Sequence, residues 1–223
     1  MFSFKNHILK TALLLFIFLG TANAVELRTL VQFDFPSKIS VGKNAKGVIN
    51  EKDLDVDAVL IGGAELNYVA EFSQFHYGFG CAYKSAQKNK NAEITPATIP
   101  VNINLSYVFN IREQIFLANN FKRDNFSPYL IARVGTLFPL STDSHWWRRP
   151  FHFFAEGGFG IVMPFNIGLE VNYNFSSMRK SFSDKHTDFR VNSGRLGIQL
   201  SMGFELSYDR IYKPNHKVIE DAP

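Results

Sequence analysis

Charged side chains that recur on one face of several predicted strands are the residues of this chain best able to do chemistry. Their positions alternate with mainly apolar ones, so the whole set would share one side of a sheet. The acidic members are Glu26, Asp34, Glu65, Glu71, Glu156 and Glu170, and the basic members are Arg28, Lys84, Arg133, Arg195 and His152. Because buried charges persist only when they are paired and hydrogen-bonded, the pattern predicts an internal network of ion pairs. Its expected role is to fix register and rigidity, with gating or ligand binding as the alternative.

Histidine, the usual residue of acid–base catalysis, does not sit in a catalytic pattern. A hydrolase built on a strand would need a histidine and a serine two residues apart, with a carboxylate nearby. His76 is instead followed two residues later by Gly78, and His152 by Phe154. The sequence shows neither a Cys–His pair nor a metal-ligand spacing. We therefore expect a protein that is not an enzyme and that uses no cofactor and no metal.

Four consecutive residues in a polar segment, Trp146, Trp147, Arg148 and Arg149, are candidates for surface binding. Indole rings stack on sugars and other flat groups, and guanidinium groups bind phosphate. The segment could therefore bind a glycan, a partner or lipopolysaccharide. The alternative, which we favour, is an interfacial belt, where tryptophan and arginine are common in any membrane protein.

The elements that must position these residues are strands, because apolar residues occupy every second position in eight segments. The segments cover residues 27–35, 58–72, 75–83, 99–109, 130–138, 153–163, 167–175 and 196–204. Polar loops are expected at 36–55, 85–95, 140–150 and 177–192. Residues 110–125 are ambiguous, with a short helix or a strand continuation at 114–118. We predict an all-β fold: an eight-stranded antiparallel barrel in up-and-down order.

The volume of the aromatic side chains decides which face of this barrel is outside. The chain has 23 Phe and 8 Tyr, and most of those in the segments fall on the apolar face. An eight-stranded barrel has an interior only just wide enough for its side chains, so these rings would overfill it. The opposite face carries Gly, Ala, Asn and Ser, and rings cluster at the strand ends as in membrane girdles. The sequence predicts a transmembrane barrel with a polar lumen closed by ion pairs.

The first 24 residues are expected to be a secretory signal peptide. Lys5 and Lys10 precede a short apolar run that ends in the small-residue sequence Ala22-Asn23-Ala24. No later apolar run is long enough for a spanning helix, so strands would carry any membrane insertion. We expect the barrel to span residues 25–208 and a periplasmic tail to span 209–223.

Two features of composition exclude other classes. The formal charge is +4, and part of it lies in the predicted signal peptide. This positive charge is too small to indicate nucleic-acid binding. The single cysteine, Cys81, cannot form an intramolecular disulfide and falls on the apolar face.

Several segments resemble small bacterial outer-membrane barrels of the OmpA and OmpX kind. Residues 126–135 resemble the Ser-Pro-Tyr strand start of such proteins, 99–109 the preceding strand and 153–161 the Gly-rich strand that follows. The resemblance implies extracellular loops, periplasmic turns and a place in the bacterial outer membrane. One departure is that the chain continues past Phe204 and Tyr208, where such chains often end on an aromatic residue.

The expected function is that of an outer-membrane barrel with a structural or surface-interaction role through its loops. Its partners would be outer-membrane lipids and lipopolysaccharide, the barrel-insertion machinery and an unknown surface ligand. Two alternatives stay open at this point. One is a narrow pore for ions or small solutes, and the other is a soluble periplasmic carrier similar to a lipocalin.

Overall fold

The computed structural model describes residues 22–45, 48–70, 74–90, 92–109, 126–147, 152–181 and 187–206, and nearly all of them are in strands. The strands are β1 (Ala22–Asp34), β2 (Ser37–Ala45), β3 (Val48–Val56), β4 (Val59–Ala70), β5 (Phe75–Lys84), β6 (Gln87–Asn89), β7 (Ala92–Thr95), β8 (Thr98–Val108), β9 (Ser127–Pro139), β10 (Phe153–Met163), β11 (Ile167–Ser181) and β12 (Thr187–Glu205). Single 3-10 turns occur at Ser144–Trp146 and Pro164–Asn166. In these ranges no helix has the length and apolar character needed to cross a membrane.

Eight of the strands form a closed antiparallel barrel, as predicted. The order around the barrel is β1, β4, β5, β8, β9, β10, β11 and β12, and β12 pairs with β1 to close it. These strands follow one another in chain order, so the up-and-down arrangement is also confirmed. The predicted signal peptide up to residue 21 and the predicted tail at 209–223 lie outside the described residues, as does the ambiguous segment 110–125.

The strand register assigns the side chains to two faces, and the large apolar residues lie outside. Phe159 and Leu200 are 49% and 54% exposed, whereas Arg133 and Glu170 are 4% and 1% exposed. The apolar outer face and the polar lumen expected from side-chain volume are thus present. We call the end of the barrel at which β1 ends and β4 begins the cap end, and the opposite end the turn end.

The predicted loop at residues 36–55 is instead a β-hairpin that extends the barrel wall. β2 continues beyond β1 and pairs with β12, and β3 pairs with β2 and leads into β4. The predicted loop at 177–192 is likewise mostly strand, because β11 reaches Ser181 and β12 begins at Thr187. These segments were expected to be loops because their outward residues are polar. A strand makes the same backbone hydrogen bonds whether its outer face is apolar or polar, so a polar outer face does not distinguish a loop from a strand.

Both strands of the first hairpin are interrupted at facing positions, residues 35–36 and 57–58. Asp34 and Val59 point inward below the interruption, and Ile39 and Val56 point inward above it. In β1 the inward residues have even numbers, whereas in β2 they have odd numbers. We call this paired interruption the crease. It turns the hairpin over, so that its apolar residues lie outside below the crease and inside above it.

Beyond the barrel rim the chain forms a second, smaller core, which we call the cap. It comprises β2, β3, the part of β11 after residue 176, the part of β12 before residue 193, the β6–β7 hairpin, and residues 140–147 and 152. Its buried apolar cluster consists of Ile39, Val41, Val56, Leu137, Trp146, Phe154, Met178 and Val191, with Leu54, Ile94 and Phe189 packed against it. The segment 85–95, also expected to be a loop, contributes the β6–β7 hairpin, which bonds to β3 through Asn89 and the carbonyl of Asp55 at 2.7 Å.

Candidate functional site

Arg133 lies at the centre of the barrel lumen and bonds to three carboxylates from three other strands. Its Nε is 2.6 Å from Glu65 Oε1, and its Nη1 is 2.6 Å from both Glu156 Oε1 and Glu170 Oε1. Nη2 donates a further bond of 3.2 Å to Glu170 Oε2. Charge-assisted bonds of this length are strong, and the fork of the guanidinium fixes their directions. Arg133 therefore crosslinks β4, β9, β10 and β11 across the lumen.

Neutral side chains satisfy the outer oxygens of these carboxylates. The Tyr129 hydroxyl donates to Glu170 Oε2 at 3.0 Å, and Gln32 Nε2 donates to Glu156 Oε2 at 3.1 Å. Asn172 Nδ2 donates to Glu170 Oε1 at 3.2 Å. Gly160 provides the space for Tyr129, because a Cβ at that position would clash with the phenol ring. The predicted charged residues thus require a polar shell that the sequence analysis did not identify.

A separate pair lies toward the turn end. Arg28 Nε donates to Glu26 Oε1 at 3.0 Å, and the two residues are neighbours on the inner face of β1. The guanidinium carbon of Arg28 lies 5.8 Å from the centre of the Tyr129 ring. Arg28 therefore lies against the Tyr129 ring, and it adjoins the central cluster because it is the direct cross-strand partner of Glu65.

Toward the cap end, one of the remaining cations forms an ion pair and the other bonds to the backbone. Lys84 Nζ lies 3.8 Å from Asp34 Oδ2. Arg195 differs from the expectation, because no described carboxylate lies within 4.0 Å of its guanidinium. Its Nη1 instead donates to the backbone carbonyl of Asp57 at 2.9 Å, and its Nε donates to Ser193 Oγ at 3.2 Å. Since residues 57–58 interrupt the strand, Arg195 replaces a backbone donor that the crease removes.

The space left beside the central cluster is small, and both polar and apolar side chains line it. A cavity of about 20 Å³ is lined by Gln32, Asn102, Arg133 and Glu156 among others. This volume holds a single water, whereas pockets for organic ligands are typically about 300–1,000 Å³. At this level the lumen is filled by its own side chains.

His152 was predicted to join the charged lumen network, but the structure places it in the cap. Its Nε2 lies 2.9 Å from the Trp146 carbonyl, and its Nδ1 accepts a 3.2 Å bond from the Arg179 backbone N–H. This combination assigns a neutral ring with its proton on Nε2. Burial lowers the pKa of His152, opposed in part by the bond to the Trp146 carbonyl. His152 therefore links Trp146 to β11 as a neutral group.

The two tryptophans that are candidates for surface binding or for an interfacial belt lie in different surroundings. Trp146 is 5% exposed and belongs to the cap core, so its ring is not available to a ligand. Lys180 Nζ lies 5.6 Å from the centre of that ring and 2.5 Å from Asp143 Oδ2. Trp147 is 49% exposed and anchors its ring nitrogen on the Ser141 carbonyl. The other two loop candidates, Arg148 and Arg149, lie outside the described residues, as does the lumen candidate Glu71.

The comparisons with known proteins found no relative of this chain. No protein-family model matches the chain, and neither a curated protein nor a solved structure shows significant similarity to it. Among the described side chains, no three His, Cys, Asp or Glu residues are arranged to hold a metal ion.

Proposed function

We propose that this chain is an integral barrel of the bacterial outer membrane, with the cap on the cell surface and a structural or surface-interaction role. The ion pairs of the lumen would close it, and the proposed role is not enzymatic. The observation that carries this proposal is the inversion of polarity along the long strands. Below the crease the wall is apolar outside and polar inside, and above it the order is reversed.

The lower part of the wall exposes large apolar side chains on all eight barrel strands. Examples, one or two for each strand in order around the barrel, are Phe33, Leu60, Phe79, Ile103 and Leu105, Leu130, Phe159, Val171 and Tyr173, and Leu200. Exposed apolar patches on soluble monomers rarely exceed a few hundred Å². A continuous apolar band around the whole circumference is the surface expected where lipid replaces water.

The upper part of the wall has the surface of a water-soluble protein. Lys38, Asp53 and Asp55 are exposed there, while Ile39 and Val41 are buried in the cap. Such a segment folds in water by the ordinary hydrophobic effect. The lower part of this continuous wall therefore has a surface suited to lipid, and the upper part has a surface suited to water.

The height of the apolar band also supports a membrane location. Phe75 and Tyr83 mark the two ends of β5 and are separated by eight residue steps. This spacing is about 26 Å along a strand and about 20 Å across a membrane at a typical tilt. Ring pairs lie at both ends of the band, with Phe75 and Tyr107 at 5.1 Å and Phe153 and Phe175 at 6.2 Å.

The lumen argues against the two alternative functions. A lipocalin-like carrier needs a cavity of ligand size, whereas the cavity beside Arg133, at about 20 Å³, holds about one water. A narrow pore needs a continuous path, whereas Arg133 bonds to carboxylates across the lumen. In planar bilayers we expect no discrete conductance steps, and regular steps would favour the pore.

The membrane proposal is tested by refolding the full chain with phospholipid vesicles and floating the mixture on a density gradient. We expect the protein to float with the vesicles and to migrate differently on detergent gels before and after boiling. If the chain stays at the bottom of the gradient, and boiling does not change its migration, the membrane assignment is wrong. The partners we propose are outer-membrane lipids and lipopolysaccharide, the insertion machinery and a surface ligand bound by the cap.

A further inference from the structure

Two arginines face each other on the outer wall just above the apolar band. Arg179 of β11 and Arg190 of β12 are direct cross-strand partners, and both side chains are exposed. Directly opposed residues on one face of a sheet have their Cβ atoms about 5 Å apart, and like charges in this position repel. An anion bound between the two guanidinium groups would offset this repulsion.

Neither arginine obtains this anion from the described part of the protein. No described carboxylate lies within 4.0 Å of either guanidinium group. Asp143, on the neighbouring loop, bonds to Lys180 and to His145, each at 2.5 Å. The two guanidinium groups thus carry like charges on an exposed part of the outer wall.

The surrounding side chains hold Arg190 in place. Its Nε donates to Asn192 Oδ1 at 3.1 Å and to Ser177 Oγ at 3.4 Å, and Ser177 itself bonds to Asn192 at 2.8 Å. These bonds use Nε, and no described residue accepts a hydrogen bond from the two Nη nitrogens. A guanidinium fork held in this way suits the oxygens of a phosphate group.

The position of the pair relative to the apolar band decides which phosphate it would meet. On β11, Tyr173 and Phe175 are exposed on the same face as Arg179 and lie below it. The Tyr173 hydroxyl reaches toward the rim and covers Gly194, which leaves no room for a Cβ there. Four residue steps from Phe175 to Arg179 are about 13 Å along the strand, within reach of the headgroup layer for a long side chain.

We propose that Arg179 and Arg190 form a binding site for the phosphate of an anionic lipid headgroup in the outer leaflet. The proposal rests on the membrane location argued above. Ser177 and Asn192 act as positioning residues, since they orient Arg190 and carry no charge. The site would fix the depth and rotation of the barrel in the leaflet.

The test compares the full chain with the double variant Arg179→Gln and Arg190→Gln, refolded in neutral detergent micelles. Binding of phosphatidylglycerol and of phosphatidylcholine is measured by native mass spectrometry. Lys52→Gln with Lys88→Gln is the control, because it removes the same charge from exposed positions on β3 and β6. We expect wild type and control to prefer phosphatidylglycerol, and the arginine variant to bind it about tenfold more weakly or worse.

Equal weakening in the arginine variant and the lysine control would overturn the site, because it would show a general charge effect. Displacement of the lipid by inorganic phosphate at equal concentration would overturn the assignment to a lipid headgroup. Boiled and unboiled gel samples show whether each variant has folded. If Arg190→Gln prevents folding, Arg179→Gln alone, with the same lysine control, decides the question. Failure of the membrane proposal is seen separately, as wild-type protein that does not float with vesicles.

Discussion

Arg133 holds the largest group of ion pairs among the described residues. Three buried carboxylates depend on this one cation, which bonds to each of them at 2.6 Å. Removing one partner of a buried ion pair leaves the remaining charge without compensation. This lowers the stability of the folded state more than replacing both partners by apolar residues would.

Replacing Arg133 by Met should therefore lower the free energy of unfolding by about 3–5 kcal/mol. Urea titration of the vesicle-inserted barrel, followed by gel mobility, measures the change. Arg133→Lys keeps the charge but loses the fork, so its loss should be smaller. A Met variant that unfolds at the same urea concentration as wild type would contradict the role given to this side chain.

At the residue scale the sequence predicts which charges face inward but not which partners they find. Alternation along β1 or β9 assigns Glu26, Arg28 and Arg133 to one face, and the structure agrees. The partners depend on the register between strands that are distant in sequence, such as Glu65 and Arg133, which no local pattern contains. Tyr129 was missed as a member of the cluster for this reason, although it lies on the same face as Arg133, four residues away.

The cap segments are the elements that the sequence analysis interpreted least well. The polar outer face of β2 and β3 was taken as the sign of a loop. The available signal was the continued alternation of Ile39 and Val41 with Lys38 and Ser40. Alternation alone cannot reveal that the crease turns the hairpin over, because the turn depends on pairing with β12.

Protonation of His152 should release residues 146–152 from β11. Because burial lowers its pKa in the folded protein, the unfolded chain binds a proton more readily than the folded one. Stability is therefore lost as the pH falls from the ordinary histidine value toward the lowered one. Limited proteolysis of this segment should become faster between about pH 8 and about pH 5.

The control for this effect is His145→Gln, which should keep the same pH response, whereas His152→Gln should weaken it. Asp143 does not account for such a change. The hydrogen bond from Lys180, supported by His145, holds the pKa of Asp143 well below its usual range, so this carboxylate stays ionised throughout. If the pH response of proteolysis were lost in His145→Gln and kept in His152→Gln, His152 would not be the group that holds this loop.

Trp146 is the largest side chain of the cap core, so Trp146→Ala should loosen the cap and leave the barrel inserted. Truncating a buried tryptophan costs about 3–5 kcal/mol where the cavity does not collapse. We expect faster hydrogen exchange in β2 and β3, with unchanged gel mobility of the unboiled barrel. Trp147→Ala, at the exposed neighbour, serves as the control. Loss of the whole barrel in the Trp146 variant would mean that cap and barrel form one cooperative unit.

At the scale of the whole molecule, the decisive question is which solvent surrounds the lower wall. Leu200 lies midway along the apolar outer face of β12 and is 54% exposed. A charged residue at the middle of a bilayer lowers the free energy of unfolding of a barrel by about 2–4 kcal/mol, whereas the same substitution on a water-facing wall changes it little.

Leu200→Arg should therefore destabilise the vesicle-inserted protein by about 2–4 kcal/mol in urea titrations. Ser40→Arg, on the outer face above the crease, should have almost no effect. If the two variants are equally stable, the band around the barrel is not in lipid. The overall fold was predictable because the bulk of the aromatic residues allows only one assignment of the barrel faces. The solvent around the barrel and its binding partners could not be predicted, because the sequence of a single strand does not determine them.

The crease has a consequence for reading topology from hydropathy. Apart from Leu30, the apolar residues from Leu27 to Val41 all occupy odd positions, so a hydropathy plot would read one uninterrupted strand with a single apolar face. The six steps from Phe35 to Val41 would then be counted as bilayer, which adds about 20 Å along the strand. For the membrane barrel that we propose, the estimated bilayer thickness would be too large, and epitope tags meant for the surface would be placed too far from the membrane.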